Sequence, residues 1–418
     1  MIQFERFELP NGLKVIFHPD STTPMAVVNV LYDVGARDEE ETKTGFAHLF
    51  EHLMFGGSVN IPDFDTELQK AGGENNAFTS NDITNYYDVL PAQNIDTALW
   101  LESDRMLSLA FTPKSLEVQR SVVIEEFKQR YLNQPYGDVW LELRPLAYTV
   151  HPYKWATIGK KIEHIEHATM NDVKAFFKAH YCPSNAILCI AGNFSLEEIK
   201  KKVMYWFGSI PSGKKIPRIL RAEPEQKAFR EKTISRNVPA NAFYFAFKMP
   251  ERKNPDYYLA DILSDILSRE KSSLLYLRLQ QELQLVNEIS CYILGSMDVG
   301  LLVISGKLTD RTSFEKLERN FWSTVSEFLE IGITQNELKS VKNKLKTSKA
   351  FQEQGLLNRA MNLSYFELLG DANGINEEFG IYDQIQIKHI LSFAKKCLKK
   401  TNCSLLRINK SYDNVSEK

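Results

Sequence analysis

Thr44-Gly45-Phe46-Ala47-His48-Leu49-Phe50-Glu51-His52-Leu53-Met54-Phe55 is the stretch on which the reading of this chain turns. Apolar residues recur at Phe46, Leu49, Phe50 and Leu53, which is a helical period, so residues 45–55 are expected to form an amphipathic helix. His48 and His52 stand four apart and Glu51 lies three beyond His48, so all three side chains project from one face. A catalytic zinc ion takes three protein donors of nitrogen, oxygen or sulfur and leaves one position for water, and a carboxylate beside that water can remove its proton. An imidazole pair with a Glu between them meets the first part of that demand. The same pair on an apolar helix could instead be packed core histidines bonded to backbone. What separates the two readings is a third donor elsewhere in the chain.

Outward from this helix the pattern alternates between strands and helices. Residues 4–9 and 13–17 flank the turn Pro10-Asn11-Gly12, and 26–32 is an apolar run, which together read as a hairpin and a buried strand. A helix over 64–71 stops at Gly72-Gly73, and strands 76–80 and 84–90 follow. Amphipathic patterns cover 92–109 and 115–132, the second opening on Ser115 as a cap. A helix over 169–180, a strand over 186–191 and a capping box at Ser195-Leu196-Glu197-Glu198 complete this half. Residues 211–224 are polar and punctuated by Pro211, Gly213 and Pro217, and read as a linker. Beyond them the order recurs: a strand over 242–247, a helix opened by Pro255, a strand pair at 286–294 and 301–308, and long helices, one with a Thr334-to-Glu337 capping box. The expectation is an α+β chain duplicated internally, with homologous halves at 1–210 and 225–418.

Composition narrows the function classes. At 418 residues, 43% hydrophobic and 25% charged, the chain falls among ordinary globular proteins of two or three domains. Lys and Arg number 51 against 53 Asp and Glu, so no basic field exists to recruit nucleic acid. No run reaches the roughly 18 apolar residues of a membrane span, and MIQFERFELPNGLKVIF does not have the pattern of a signal peptide. A cytoplasmic location is the expectation, or a periplasmic one had a signal peptide been removed. Five Cys with no CxxC pair argue for reduced, buried thiols. Seven of the eight His precede the linker, so an imidazole site belongs to the first half. Among them His164 and His167 have no third donor nearby in sequence and read as packing or surface residues. Arg359 and Tyr365 on a later amphipathic helix read the same way.

The H-x-x-E-H order resembles that of the inverzincins. With Gln119-Arg120-Ser121-Val122-Val123-Ile124-Glu125-Glu126 downstream, the chain resembles the pitrilysin/insulinase family, in particular its short branch related to mitochondrial processing peptidase. Matching stretches include Pro10-Asn11-Gly12, Gly72-Gly73-Glu74-Asn75-Asn76-Ala77-Phe78-Thr79, Leu101-Glu102-Ser103-Asp104-Arg105-Met106 and His151-Pro152-Tyr153. The resemblance implies one Zn2+ per chain held by His48, His52 and Glu126, with Glu51 as general base and Glu125 a solvated or supporting carboxylate. It implies a processing-peptidase-like metallohydrolase fold, in which each half is a mostly antiparallel sheet covered by helices. Asn76, Ala77 and Phe78 match the strand edge on which the family lays its substrate by β-augmentation.

Two departures stand out. Gln119 occupies the place of a Glu that supports the metal site in relatives, and it can orient a ligand without adding charge. The family's substrate-holding Arg is kept as Arg278, but its partner Tyr is replaced by Leu285, which cannot donate to an oxyanion. The resemblance therefore implies a zinc endopeptidase acting on peptides or unfolded segments in a closed chamber. A zinc-free homologous partner would supply the Arg/Tyr pair, with a homodimer as the other arrangement. The rival from another class is a non-catalytic interaction subunit of the same fold.

Overall fold

The computed structural model of the chain describes residues 1–214 and 217–411; Lys215 and Ile216 of the expected linker lie outside the described residues. The first half contains β1 (Glu5–Glu8), β2 (Lys14–Pro19), β3 (Met25–Tyr32), α1 (Phe46–Leu53), α2 (Phe64–Lys70), β4 (Glu74–Thr79), β5 (Thr84–Pro91), α3 (Ile95–Leu107), α4 (Pro113–Phe127), α5 (Val139–Ala147), α6 (Ile162–Glu166), α7 (Met170–His180), β6 (Ala186–Gly192) and α8 (Leu196–Phe207). The second contains β7 (Arg230–Arg236), β8 (Ala242–Met249), α9 (Tyr257–Ser268), β9 (Val286–Leu294), β10 (Gly300–Leu308), α10 (Phe314–Ile331), α11 (Gln335–Gln352), α12 (Leu356–Leu369), α13 (Gly374–Gln384), α14 (Ile387–Cys397) and β11 (Cys403–Lys410).

The strands form two sheets of one design. The first runs β1-β2-β6-β3-β5-β4 and the second β7-β11-β8-β10-β9. In the first, β2 and β6 are parallel and the other neighbours antiparallel; in the second, β7 and β11 are the parallel pair. With β1 set aside, the two orders superimpose element for element, so the duplication read from element order is present in the pairing. The chain is α+β, as expected. Strand β3 and strand β6 are buried along almost their whole length, which is why both read as continuous apolar runs.

Two compact units result, and neither is contiguous in sequence. One comprises Met1–Lys128, Trp155–Leu220 and Ser348–Glu378; the other comprises Gln129–Lys154, Arg221–Thr347 and Phe379–Lys418. The halves 1–210 and 225–418 thus each give a helical segment to the other's unit. In the first unit α12 packs on β3 and β6, with Ala360, Leu363 and Phe366 against Ile16, Val27, Ile187 and Cys189. In the second unit α5 packs on β8 and β11, with Val139, Leu143 and Ala147 against Ala242, Ala246, Leu406 and Ile408. A sheet with two apolar faces needs cover on both, and the exchanged helices provide the second cover.

One local expectation is corrected. Ser115 does not cap α4: the cap is Thr112, whose side chain accepts the Ser115 N–H at 3.0 Å. Pro113 then occupies the first turn, where its missing N–H costs nothing, so the helix begins earlier than Ser115. The described cysteines are all buried and free, and no helix among the described residues is long and apolar enough to cross a membrane.

Candidate metal centre

Helix α1 is set by its buried stripe. Phe46, Ala47, Leu49, Phe50 and Leu53 are buried, and Phe50 stacks on Phe176 of α7 and on Tyr181 with ring centroids 5.3 and 5.0 Å away. Burying a side chain of that size contributes about 1.5–3 kcal/mol. Tyr86 of β5 donates its hydroxyl to the Phe50 carbonyl at 3.2 Å. With that stripe fixed, the opposite one, His48, Glu51 and His52, faces α4, which packs against α1.

Glu126 comes from the last turn of α4. Its Oε2 lies 3.6 Å from His48 Nε2 and 3.3 Å from His52 Nε2, and the three donor atoms all fall within 4.8 Å of one another. The imidazoles meet edge to face, with centroids 4.9 Å apart. Zn–N and Zn–O bonds near 2.1 Å in tetrahedral geometry separate two donors by about 3.4 Å. The two carboxylate–imidazole separations bracket that length, and two neutral nitrogens with one carboxylate oxygen are a donor set that zinc accepts. The residues present fit the ion.

Glu51 is half-buried beside this triad. Burial pushes its carboxyl up; a hydrogen bond from Thr79 and the His52 ring oppose the rise, and the Glu126 carboxylate adds to it. Thr79 closes β4 and also reaches the Ala47 carbonyl at 3.5 Å, so the end of β4 is pinned to α1. Strand β4 is the edge of its sheet. By strand alternation Ala77 shares the Thr79 face, whereas Asn76 and Phe78 point to the other. The Ala77 N–H is held by the Asn76 side-chain oxygen at 2.8 Å, and Phe78 is 39% exposed.

The other residues singled out in the sequence are not among the three clustered donors. Glu125 pairs with Lys128 at 2.7 Å on the surface. Gln119 sets its side-chain nitrogen beside Gly56, where a Cβ on that glycine would come to 3.8 Å. Arg278 belongs to the second unit, pairs with Glu282 at 2.6 Å and lines a cavity of about 620 Å³ with Leu277, Phe328 and Lys344. Leu285 is 1% exposed in the core of that unit.

One residue that holds the start of α1, Glu39, did not stand out in the sequence. Glu39 accepts the N–H groups of Gly45 and Ala47, each at 2.9 Å, at the start of α1. His164 Nδ1 accepts the Thr44 N–H at 3.2 Å, one residue before the start of α1 at Gly45. Arg105, fully buried, pairs with Glu102 and lies 4.0 Å from the Phe64 ring centroid and 5.2 Å from that of Phe55, just past α1. The matching stretch around Arg105 was visible, but its packing beneath the α1 exit was not. A carboxylate followed six residues later by an uncapped Gly at a helix start is the only signal that could have found Glu39.

Comparison with known proteins gives the same direction. Residues 14–147 match the family model described as insulinase (peptidase family M16), and residues 167–345 match the M16 peptidase inactive domain. The zinc protease PqqE of Helicobacter pylori is 28% identical over 414 residues, covering 98% of this chain and 90% of that one. The probable mitochondrial-processing peptidase subunit beta of Arabidopsis thaliana is 27% identical over 263 residues, covering 62% of this chain and 49% of that one. The crystal structure of a protease from Helicobacter pylori superimposes with a TM-score of 0.93 at 27% identity, covering 98% of this chain and 100% of that one. The fold, the three-donor site in the first unit and these matches agree: the chain belongs to the insulinase family of zinc proteases, M16.

Proposed function

We propose that the chain is a zinc-dependent endopeptidase that hydrolyses extended peptides or unfolded segments and completes its site with a homologous partner chain. The observation that carries the catalytic part is the convergence of His48, His52 and Glu126 beside a half-buried Glu51. Zinc held by those three residues would acidify a water and polarise the scissile carbonyl. Glu51, on the same helical face, takes the proton from the attacking water and passes it to the leaving amine, and its burial, which raises its affinity for protons, favours that role. The open edge of β4, pinned to α1 through Thr79, supports a substrate laid antiparallel or parallel along Asn76, Ala77 and Phe78 by main-chain bonds.

The partner part rests on Leu285. A buried leucine provides no donor for the oxyanion, and removing one such donor from a hydrolase typically costs about a hundredfold or more in turnover. A second chain with an intact Arg/Tyr pair, or a second copy arranged to compensate, supplies what this one does not. Arg278, which pairs with Glu282 in an exposed ion pair of the kind that contributes little, is the residue of the family's substrate-holding pair that this chain keeps.

The direct test is to incubate the zinc-loaded chain, alone and with a candidate partner, with a mixture of peptides and to read the fragments by mass spectrometry. Cleavage that rises with the partner supports both parts. Full turnover by the chain alone removes the partner, and absence of cleavage in every combination with zinc bound removes the peptidase reading in favour of an interaction subunit.

A further inference from the structure

The first turn of α1 has no cap of its own. Gly45 is the N-cap, with φ +90°, and has no side chain to accept the orphan N–H groups. A Cβ there would also come within 2.7 Å of the Ile158 carbonyl, so glycine is required and the cap must come from elsewhere. Glu39 provides it, one oxygen taking the Gly45 N–H and the other the Ala47 N–H, each at 2.9 Å. Glu39 is 7% exposed and follows a 3-10 turn, Ala36–Asp38, that is tied down by the Trp155 indole N–H to the Ala36 carbonyl at 2.9 Å and by the Arg37–Asp82 pair at 3.1 Å.

The duplicated unit is an internal control. In the same topological place α9 follows β8 through residues 250–256, a shorter connection, and its N-cap Asp256 makes no side-chain cap bond. Helix α9 is started locally instead: Asn254 accepts the Asp256 N–H on its side-chain oxygen at 3.0 Å and the Tyr257 N–H on its carbonyl at 2.9 Å. The matching helix is thus started by a neighbouring residue, and among the described residues it is the helix carrying the two imidazoles and the base whose start is held by a carboxylate from across the connection.

We infer that Glu39 is a positioning residue for the metal centre: its carboxylate grips the N–H groups flanking Phe46 and so fixes the rotation and tilt of α1, which aims His48 and His52 at Glu126 and Glu51 at the substrate. Ala47, which it grips, is adjacent to His48. Functional constellations tolerate errors of only about 0.5 Å or 10–20°. Packing of Phe50 sets the face of the helix; the two hydrogen bonds that Glu39 accepts set its register along that face. The inference rests on the zinc reading above but not on peptide cleavage.

The test uses Glu39→Gln, which keeps the shape but puts an amide N–H against one of the two donors, and Glu39→Asp, which keeps the carboxyl group on a shorter arm. Zinc affinity of the stripped proteins is measured by competition with a chromophoric chelator, kcat and KM on a quenched fluorescent peptide at saturating zinc, and folding by circular dichroism. Expected for Glu39→Gln are zinc affinity lowered about 10- to 100-fold, kcat lowered about tenfold even at saturating zinc because Glu51 rides on the same helix, and KM unchanged, with Glu39→Asp intermediate. Wild-type zinc affinity in both variants overturns the inference. So does full recovery of kcat at saturating zinc, which marks a merely structural loss, and so does failure of both variants to fold. The chelator arm reads out whether or not the peptide is a substrate, so a failed peptidase reading and a failed clamp give different results.

Discussion

Glu51 and Leu285 show how much a single side chain decides. Glu51 shares a helical face with two donors, so Glu51→Gln should remove the base without disturbing the triad: turnover should fall about 10²- to 10⁴-fold while zinc content, read by mass spectrometry of metals, stays at one per chain. Retained turnover would give the proton transfer to another group. Leu285 is a different case, because its position in the core means that restoring the family's side chain does not restore its chemistry. Leu285→Tyr should overpack the second unit and cost about 1–3 kcal/mol in urea unfolding, with no gain in turnover by the chain alone. A rise in kcat would show that a Tyr here can reach the substrate and would remove the case for a partner.

At the scale of elements, two connections carry consequences. Glu223, at the end of the polar stretch that reads as a linker, is anchored: it accepts the N–H groups of Thr149, Val150 and His151 and the ammonium of Lys248 at 2.7 Å. Burial would push its carboxyl up, but those donors outweigh it and bring it down to about 2. The ordinary carboxyl at 4.5 in the unfolded chain binds the proton more tightly, so this contribution is full above about pH 4.5 and is lost as pH falls toward 2. Glu223→Gln should therefore lower the melting temperature at pH 7 and lessen its fall between pH 5 and 3, measured by calorimetry; an unaltered acid slope would locate the acid sensitivity elsewhere. Strand β4 is the second connection. Ala77→Pro removes one edge N–H, which is worth about 0.5–1.5 kcal/mol, so KM should rise several-fold with kcat little changed if the substrate pairs there.

For the whole molecule, the metal couples to stability. An ion that binds only the folded state stabilises it by about 4 kcal/mol at a thousandfold excess over its dissociation constant, and each kcal/mol moves the midpoint of a domain of this size by about 2–4 °C. Zinc added to the stripped chain should raise the melting temperature by several degrees, and His48→Ala should abolish the shift; a shift that persisted would mean zinc acts at another site.

The sequence by itself determined what is local and periodic. The α1 stripe, the i,i+4 imidazoles, the Gly72 stop and the strand runs all follow from residue spacing, and Glu126 followed from a resemblance carried by its own helix. Spacing cannot say which sheet a helix will cover. The helix of Arg359 and Tyr365, α12, reads as an ordinary amphipathic segment and α5 was not singled out, yet each covers the sheet built mainly from the other half, because that face was the one left open. Spacing also cannot show a carboxylate gripping a helix six residues away, a leucine turned into the core, or three donors at 3.3 and 3.6 Å. Those depend on where distant backbone segments come to rest, which the burial of the whole chain decides at once.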